Sequence, residues 1–92
     1  MAETHPSARA IVSRPNVLSG EPTVAGTRIS VRTIVLAHYA FGGVEQVQEQ
    51  LPTLNIPDIE AALRYYRAHR DEINQHIAEN NDDEDIPYDK LG

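Results

Sequence analysis

The chain has 92 residues, no Cys, four Tyr and one Phe as its aromatic residues, and a net charge of −6. A single domain already takes about 100–150 residues, so one small core is all this length provides. The missing cysteines exclude disulfides, thiolate metal sites and cysteine nucleophiles, and no apolar run approaches the ~20 residues of a bilayer span. Met1-Ala2-Glu3-Thr4-His5-Pro6 lacks the basic-then-apolar pattern of a signal peptide, so the expected location is cytoplasmic.

Charge divides the chain unevenly. Residues 1–70 hold seven Arg against six acids, while residues 71–92 hold eight acids against Lys90. A near-neutral body with an acidic end points to two surfaces with different partners; the alternative is an end that only adds solubility.

In chain order, residues 1–9 carry nothing to bury and are expected to form a disordered lead-in. Ile11-Val12 is a short apolar pair stopped by Arg14-Pro15. Gly20, Pro22 and Gly26 then punctuate the chain, and Thr23-Val24 and Thr27-Arg28-Ile29 flank Ala25-Gly26. That arrangement predicts a tight β-hairpin with Gly26 at positive φ, which must pack on something larger to persist.

Ser30 predicts the N-cap of a helix over 31–41, with Val31, Ile34, Val35 and His38 at helical spacing and Gly42-Gly43 as its stop. A short helix over 44–51 turns Val44, Val47 and Leu51 to one face, and Pro52 closes it. Asn55 predicts the N-cap of a long third helix, with Asp58 at the third helical position. Ile59, Ala62, Leu63, Tyr66, Ile73 and Ile77 fall within roughly 100° of one another on a helical projection. Arg70 intrudes on that stripe, so the helix is expected to bend there or to pack its second half differently. The folded domain is thus expected over 10–79, followed by an acidic tail over 80–92.

Helix 44–51, a turn through Pro52-Thr53-Leu54-Asn55 and a following amphipathic helix have the lengths of a helix-turn-helix unit supported by helix 31–41. The same lengths suit any small α-bundle. In the DNA-reading version the first residues of the last helix meet base edges. Here those include Asp58 and Glu60, which would face phosphates unfavourably. Arg64, Arg67 and Arg70 follow as a basic flank that can touch the phosphate backbone or pair with Glu60 and Asp71. Arg28 and Arg32, with Arg14 upstream, straddle the strand-to-helix junction, as a DNA wing or a dimer contact. The DNA candidates are therefore Arg28, Arg32, Arg64 and Arg67.

Catalysis finds little support. His69 and His76 stand seven residues apart, which is about 10.5 Å of helical rise and too far to share a metal. His38 reads as a core histidine, the acids of 82–85 are contiguous, and Gly42-Gly43 lacks the Lys-Ser or Lys-Thr of a phosphate loop. No enzyme activity, cofactor or metal is expected. The tail combines Asp82, Asp83, Glu84 and Asp85 with the apolar anchors Ile86, Tyr88 and Leu91, a composition suited to folding onto a basic partner.

The stretch Gly20-Glu21-Pro22-Thr23-Val24-Ala25-Gly26-Thr27-Arg28-Ile29-Ser30-Val31 resembles the domain of unknown function 433 family of small prokaryotic proteins. The likeness continues through Ile34, Gly42-Gly43, Leu51-Pro52-Thr53-Leu54 and Asp58-Ile59-Glu60-Ala61-Ala62-Leu63-Arg64-Tyr65-Tyr66, and covers roughly residues 11–80. It implies a mostly α fold with a small N-terminal β-hairpin and a homeodomain-like three-helix helix-turn-helix, in which Gly20, Pro22, Gly26, Thr27 and Arg28 form the signature. Glu21 and Ala25 stand where the family often carries basic residues. The resemblance also implies an antitoxin made beside a PIN-like ribonuclease toxin, with no catalytic residues.

These readings together give an expected antitoxin that dimerises, binds operator DNA and covers a PIN-like toxin with its acidic tail, with no membrane role. The rival is a protein-interaction or homodimerisation module that does not bind DNA.

Overall fold

A computed structural model describes residues 9–80 and Leu91. Its elements in chain order are β1 (Ile11–Ser13), a single 3₁₀ turn (Leu18–Gly20), β2 (Pro22–Val24), α1 (Val31–Phe41), α2 (Val44–Gln50), α3 (Ile56–Ala68) and α4 (Arg70–Asn80). The architecture is four helices behind a two-stranded antiparallel N-terminal hairpin.

The hairpin differs from the expectation in its partner. β2 pairs with β1 in the register Ile11↔Val24, Val12↔Thr23 and Ser13↔Pro22, not with residues 27–29. Thr27 and Ile29 do return beside β2: the Thr27 N–H donates to the Val24 carbonyl at 3.0 Å, and the Val24 N–H to the Ile29 carbonyl at 3.0 Å. Only an isolated bridge, Thr23↔Ser30, follows. Ser30 then caps α1 and turns the chain into the helix, so a second ladder never lengthens. Gly26, at φ 79, supplies the left-handed turn residue as expected.

The helix ends follow local chemistry. Ser30 Oγ accepts from the Thr33 N–H at 3.0 Å, and Gly42 closes α1 in the left-handed region at φ 90. Asn55 Oδ1 accepts from the Asp58 N–H at 3.0 Å while Asp58 Oδ2 accepts from the Asn55 N–H at 3.2 Å, a complete reciprocal cap on α3. Between α2 and α3 the chain turns sharply: the Leu54 N–H donates to the Leu51 carbonyl, and Gln48 Nε2 reaches the Leu54 carbonyl at 3.2 Å.

The long third helix is in fact two. His69 takes a non-helical conformation (φ −136, ψ 43) that ends α3, and α4 starts at Arg70. The interruption sits at the place where Arg70 breaks the apolar stripe. The stripe itself is buried throughout: Ile59, Ala62, Leu63, Tyr66, Ile73 and Ile77 join Val24, Val31, Ile34, Val35, Val47 and Leu54 in one core. That core fixes the relative placement of α1, α2, α3 and the hairpin, and α4 packs back against α1.

Candidate nucleic-acid interface

The described arginines differ in what neutralises them. Arg9, assigned by the sequence reading to the lead-in, is tied to the domain. Its backbone N–H donates to Asp58 Oδ1 at 2.8 Å, its Nε lies 3.4 Å from Asp58 Oδ2, and its Nη2 donates to the Thr53 carbonyl at 3.0 Å. Asp58 is fully buried. The carboxylate expected to confront phosphates at the start of α3 is therefore folded inward, where the helix cap and Arg9 share it. Of the two acids there, Glu60 alone is exposed.

Arg32 is likewise neutralised. Its Nε and Nη2 donate to Glu21 Oε1 and Oε2 at 2.9 and 3.2 Å, a bidentate pair with Glu21 only 6% exposed. The Arg32 guanidinium, expected as a DNA contact, is engaged within the fold by Glu21. Arg28 and Arg32, expected to straddle the junction, line different hollows. Arg28 lines a hollow with Arg14, Val12, Val17, Thr23, Gly26 and Thr27.

Arg64 and Arg67 are exposed on α3 and line a second hollow with His38, Val44, Glu60 and Leu63. Among the described residues, no ion pair engages Arg14, Arg28, Arg64 or Arg67. Arg70 stands 5.0 Å over the Tyr66 ring instead of joining the flank as a bare charge.

The histidines have local roles. His69 stacks on Tyr65 with ring centroids 4.0 Å apart, and its Nδ1 is 3.1 Å from the Tyr65 carbonyl. His76 Nδ1 lies 3.9 Å from Glu79 Oε1. His38, expected in the core, is half-buried at the rim of the α3 hollow. Tyr65 also donates to Glu72 Oε1 at 3.2 Å; burial, then the Glu72 charge and that hydrogen bond, hold its phenol above the usual value of 10.0.

The signature residues serve the turns. Gly20 takes φ 88, Pro22 is buried in β2, and Thr27 Oγ1 donates to the Val24 carbonyl at 2.8 Å while accepting from the Ile29 N–H at 3.0 Å. Asp82, Asp83, Glu84, Asp85, Ile86 and Tyr88 lie outside the described residues. Leu91, expected as an anchor for a partner, is 1% exposed and belongs to the chain's own core; in this conformation the protein itself occupies that anchor. Sequence reasoning missed two exposed aromatics, Tyr39 at 48% and Phe41 at 47%. Their signal was partly available: Tyr39 falls off the 31, 34, 35, 38 stripe, and Phe41 continues its spacing but sits at the last position of α1, against the stop at Gly42.

Residues 11–66 match the family described as protein of unknown function DUF433. The chain belongs to this family. The DUF433 match runs from β1 to Tyr66, so α4 and Leu91 lie beyond it, a shorter span than the sequence resemblance covered. Arg14, Arg28 and Arg64 fall inside the DUF433 region, and Arg67 one residue past it. No curated protein and no solved structure matches the chain significantly.

Proposed function

We propose that this DUF433 protein is a DNA-binding antitoxin, in which the α2–α3 unit meets operator DNA and the acidic segment engages a PIN-like ribonuclease toxin. One observation carries the DNA half. At the head of α3 the buried cap removes Asp58 from the surface, while Arg64 and Arg67 further along the helix are exposed and unpaired among the described residues. The main electrostatic objection to that helix near phosphates is thereby much reduced, leaving Glu60.

Homodimerisation would bring two such helices to half-sites about 34 Å apart. Gel-shift titration with DNA from upstream of the protein's own gene tests this directly. Arg64→Ala and Arg67→Ala should each weaken binding and lower the slope of log affinity against log salt by about one. Absence of any shift, with and without the product of the neighbouring gene, removes the DNA role.

The toxin half rests on composition: Asp82, Asp83, Glu84 and Asp85 are acidic enough to stand in for RNA phosphates at a basic cleft. Its test is co-purification of the neighbouring gene product with a chain carrying D82N, D83N, E84Q and D85N together, which leaves Leu91 in place. Unchanged co-purification ends this half. A second reading, an interaction module without DNA, is favoured by Tyr39 and Phe41, whose half-exposed rings offer an apolar contact at the end of α1.

A further inference from the structure

We propose that the hollow beside the hairpin is a phosphate-binding site in which Arg14 and Arg28 share one anion. The site itself stands on local geometry; assigning its phosphate to a nucleic-acid strand rests on the DNA reading above.

The two arginines are 14 positions apart in sequence and line the same hollow. The register Ser13↔Pro22 sets the end of β1 beside the start of β2, the Val24 hydrogen bonds to Thr27 and Ile29 return the chain along β2, and the hollow beside this pairing is lined by both arginines. Arg14 follows β1 directly, and its carbonyl accepts the Val17 N–H at 3.0 Å, which fixes the turn that carries it. Arg28 follows Thr27, whose hydroxyl is locked between the Val24 carbonyl and the Ile29 N–H. Both guanidiniums therefore spring from backbone that is already held in place, which lowers the entropic cost of using them.

The hollow encloses about 410 Å³, within the range of small-ligand sites. Its lining contains two cations and no carboxylate. Arg9 and Arg32 each have an acid of their own, whereas Arg14 and Arg28 have none among the described residues. In a chain of net charge −6, two arginines without an acid partner among the described residues line this one hollow, where an anion would be attracted to both. The planar guanidinium fork matches phosphate oxygens, and a doubly charged anion satisfies both forks at once.

The threonines add no competing chemistry. Thr23 Oγ1 is committed to the Val12 carbonyl at 3.3 Å and Thr27 Oγ1 to the Val24 carbonyl. Val12 and Val17 supply apolar wall, which strengthens charge interactions nearby. Gly26, at φ 79, takes the left-handed turn conformation that favours glycine at the edge of the hollow.

The test is NMR titration of the whole chain, first with inorganic phosphate and then with duplex DNA. Phosphate should produce saturable shifts at the Gly26, Thr27 and Arg28 amides and at the Arg14 side-chain Nε–H. Arg14→Gln and Arg28→Gln should each weaken it about fivefold or more, with Arg14→Lys only partly restoring affinity because the fork is lost. Both arginines are exposed, so the spectra of these variants report folding alongside binding. No saturation, or equal affinity in the variants, overturns the site. Duplex DNA that displaces the phosphate, with a salt slope lower by about one in each variant, assigns the site to a nucleic-acid backbone. Phosphate binding that DNA leaves untouched keeps the site, assigns it to a free phosphate ester, and counts against the hairpin as a DNA wing.

Discussion

Glu21 is 6% exposed, and an ionised carboxylate at that depth is tolerated because Arg32 offers it two donors from one rigid fork. Removing the fork strands the acid. Arg32→Ala should cost about 3 kcal/mol in urea unfolding, while leaving affinity for DNA at matched salt unchanged. Arg28→Ala should show the opposite pattern, near-wild-type stability with altered ligand binding. The contrast reveals which contacts a sequence can disclose. The Asn55–Asp58 cap was readable because its partners are three residues apart and the helix geometry joins them. The Arg32–Glu21 pair spans 11 positions and the Arg9–Asp58 contact spans 49. No periodicity encodes such separations, so Asp58 read as a surface charge and Arg32 as a free one.

The junction between α3 and α4 shows how two helices can share a stripe without forming one rod. Tyr65 and Tyr66 reach across the His69 break, the first to Glu72 and the second to Asn74 at 2.7 Å. Tyr65 is neutral when protonated, and its folded value lies above the ordinary 10.0. Its contribution is therefore complete below about pH 10 and is lost as pH rises through the raised value. Tyr65→Phe should cost about 1 kcal/mol at neutral pH for the missing hydrogen bond. Between about pH 8 and about pH 11 the variant should lose less stability than the wild type in parallel urea titrations. A steeper alkaline loss in the variant would contradict this account. The stripe and the intruding Arg70 made the break foreseeable. The hairpin was harder, since short strands carry too few residues to show which apolar pair they choose, and Ile11-Val12 competes with Ile29 for the same strand. Ser30 decides it by starting α1 at once.

For the molecule as one body, charge and core are distributed in conflict. The C-terminal stretch carries most of the negative charge, yet Leu91 beyond it is among the buried residues of the core. Leu91→Ala should cost about 2–4 kcal/mol by thermal or urea unfolding, a large share of the stability of a domain this small. Neutralising Asp82, Asp83, Glu84 and Asp85 should leave the unfolding midpoint nearly unchanged. Composition marked the acidic run clearly. It could not show that a leucine after that run faces inward, because hydrophobicity alone does not say whether a side chain is kept for a partner or used at home. One consequence concerns scission. Cutting a single peptide bond anywhere from 81 to 90 would sever Leu91 from the chain whose core it joins and leave its berth empty unless the released peptide stayed bound. The expected loss on such a cut is that of the Leu91 side chain from the core, the same contact that Leu91→Ala removes.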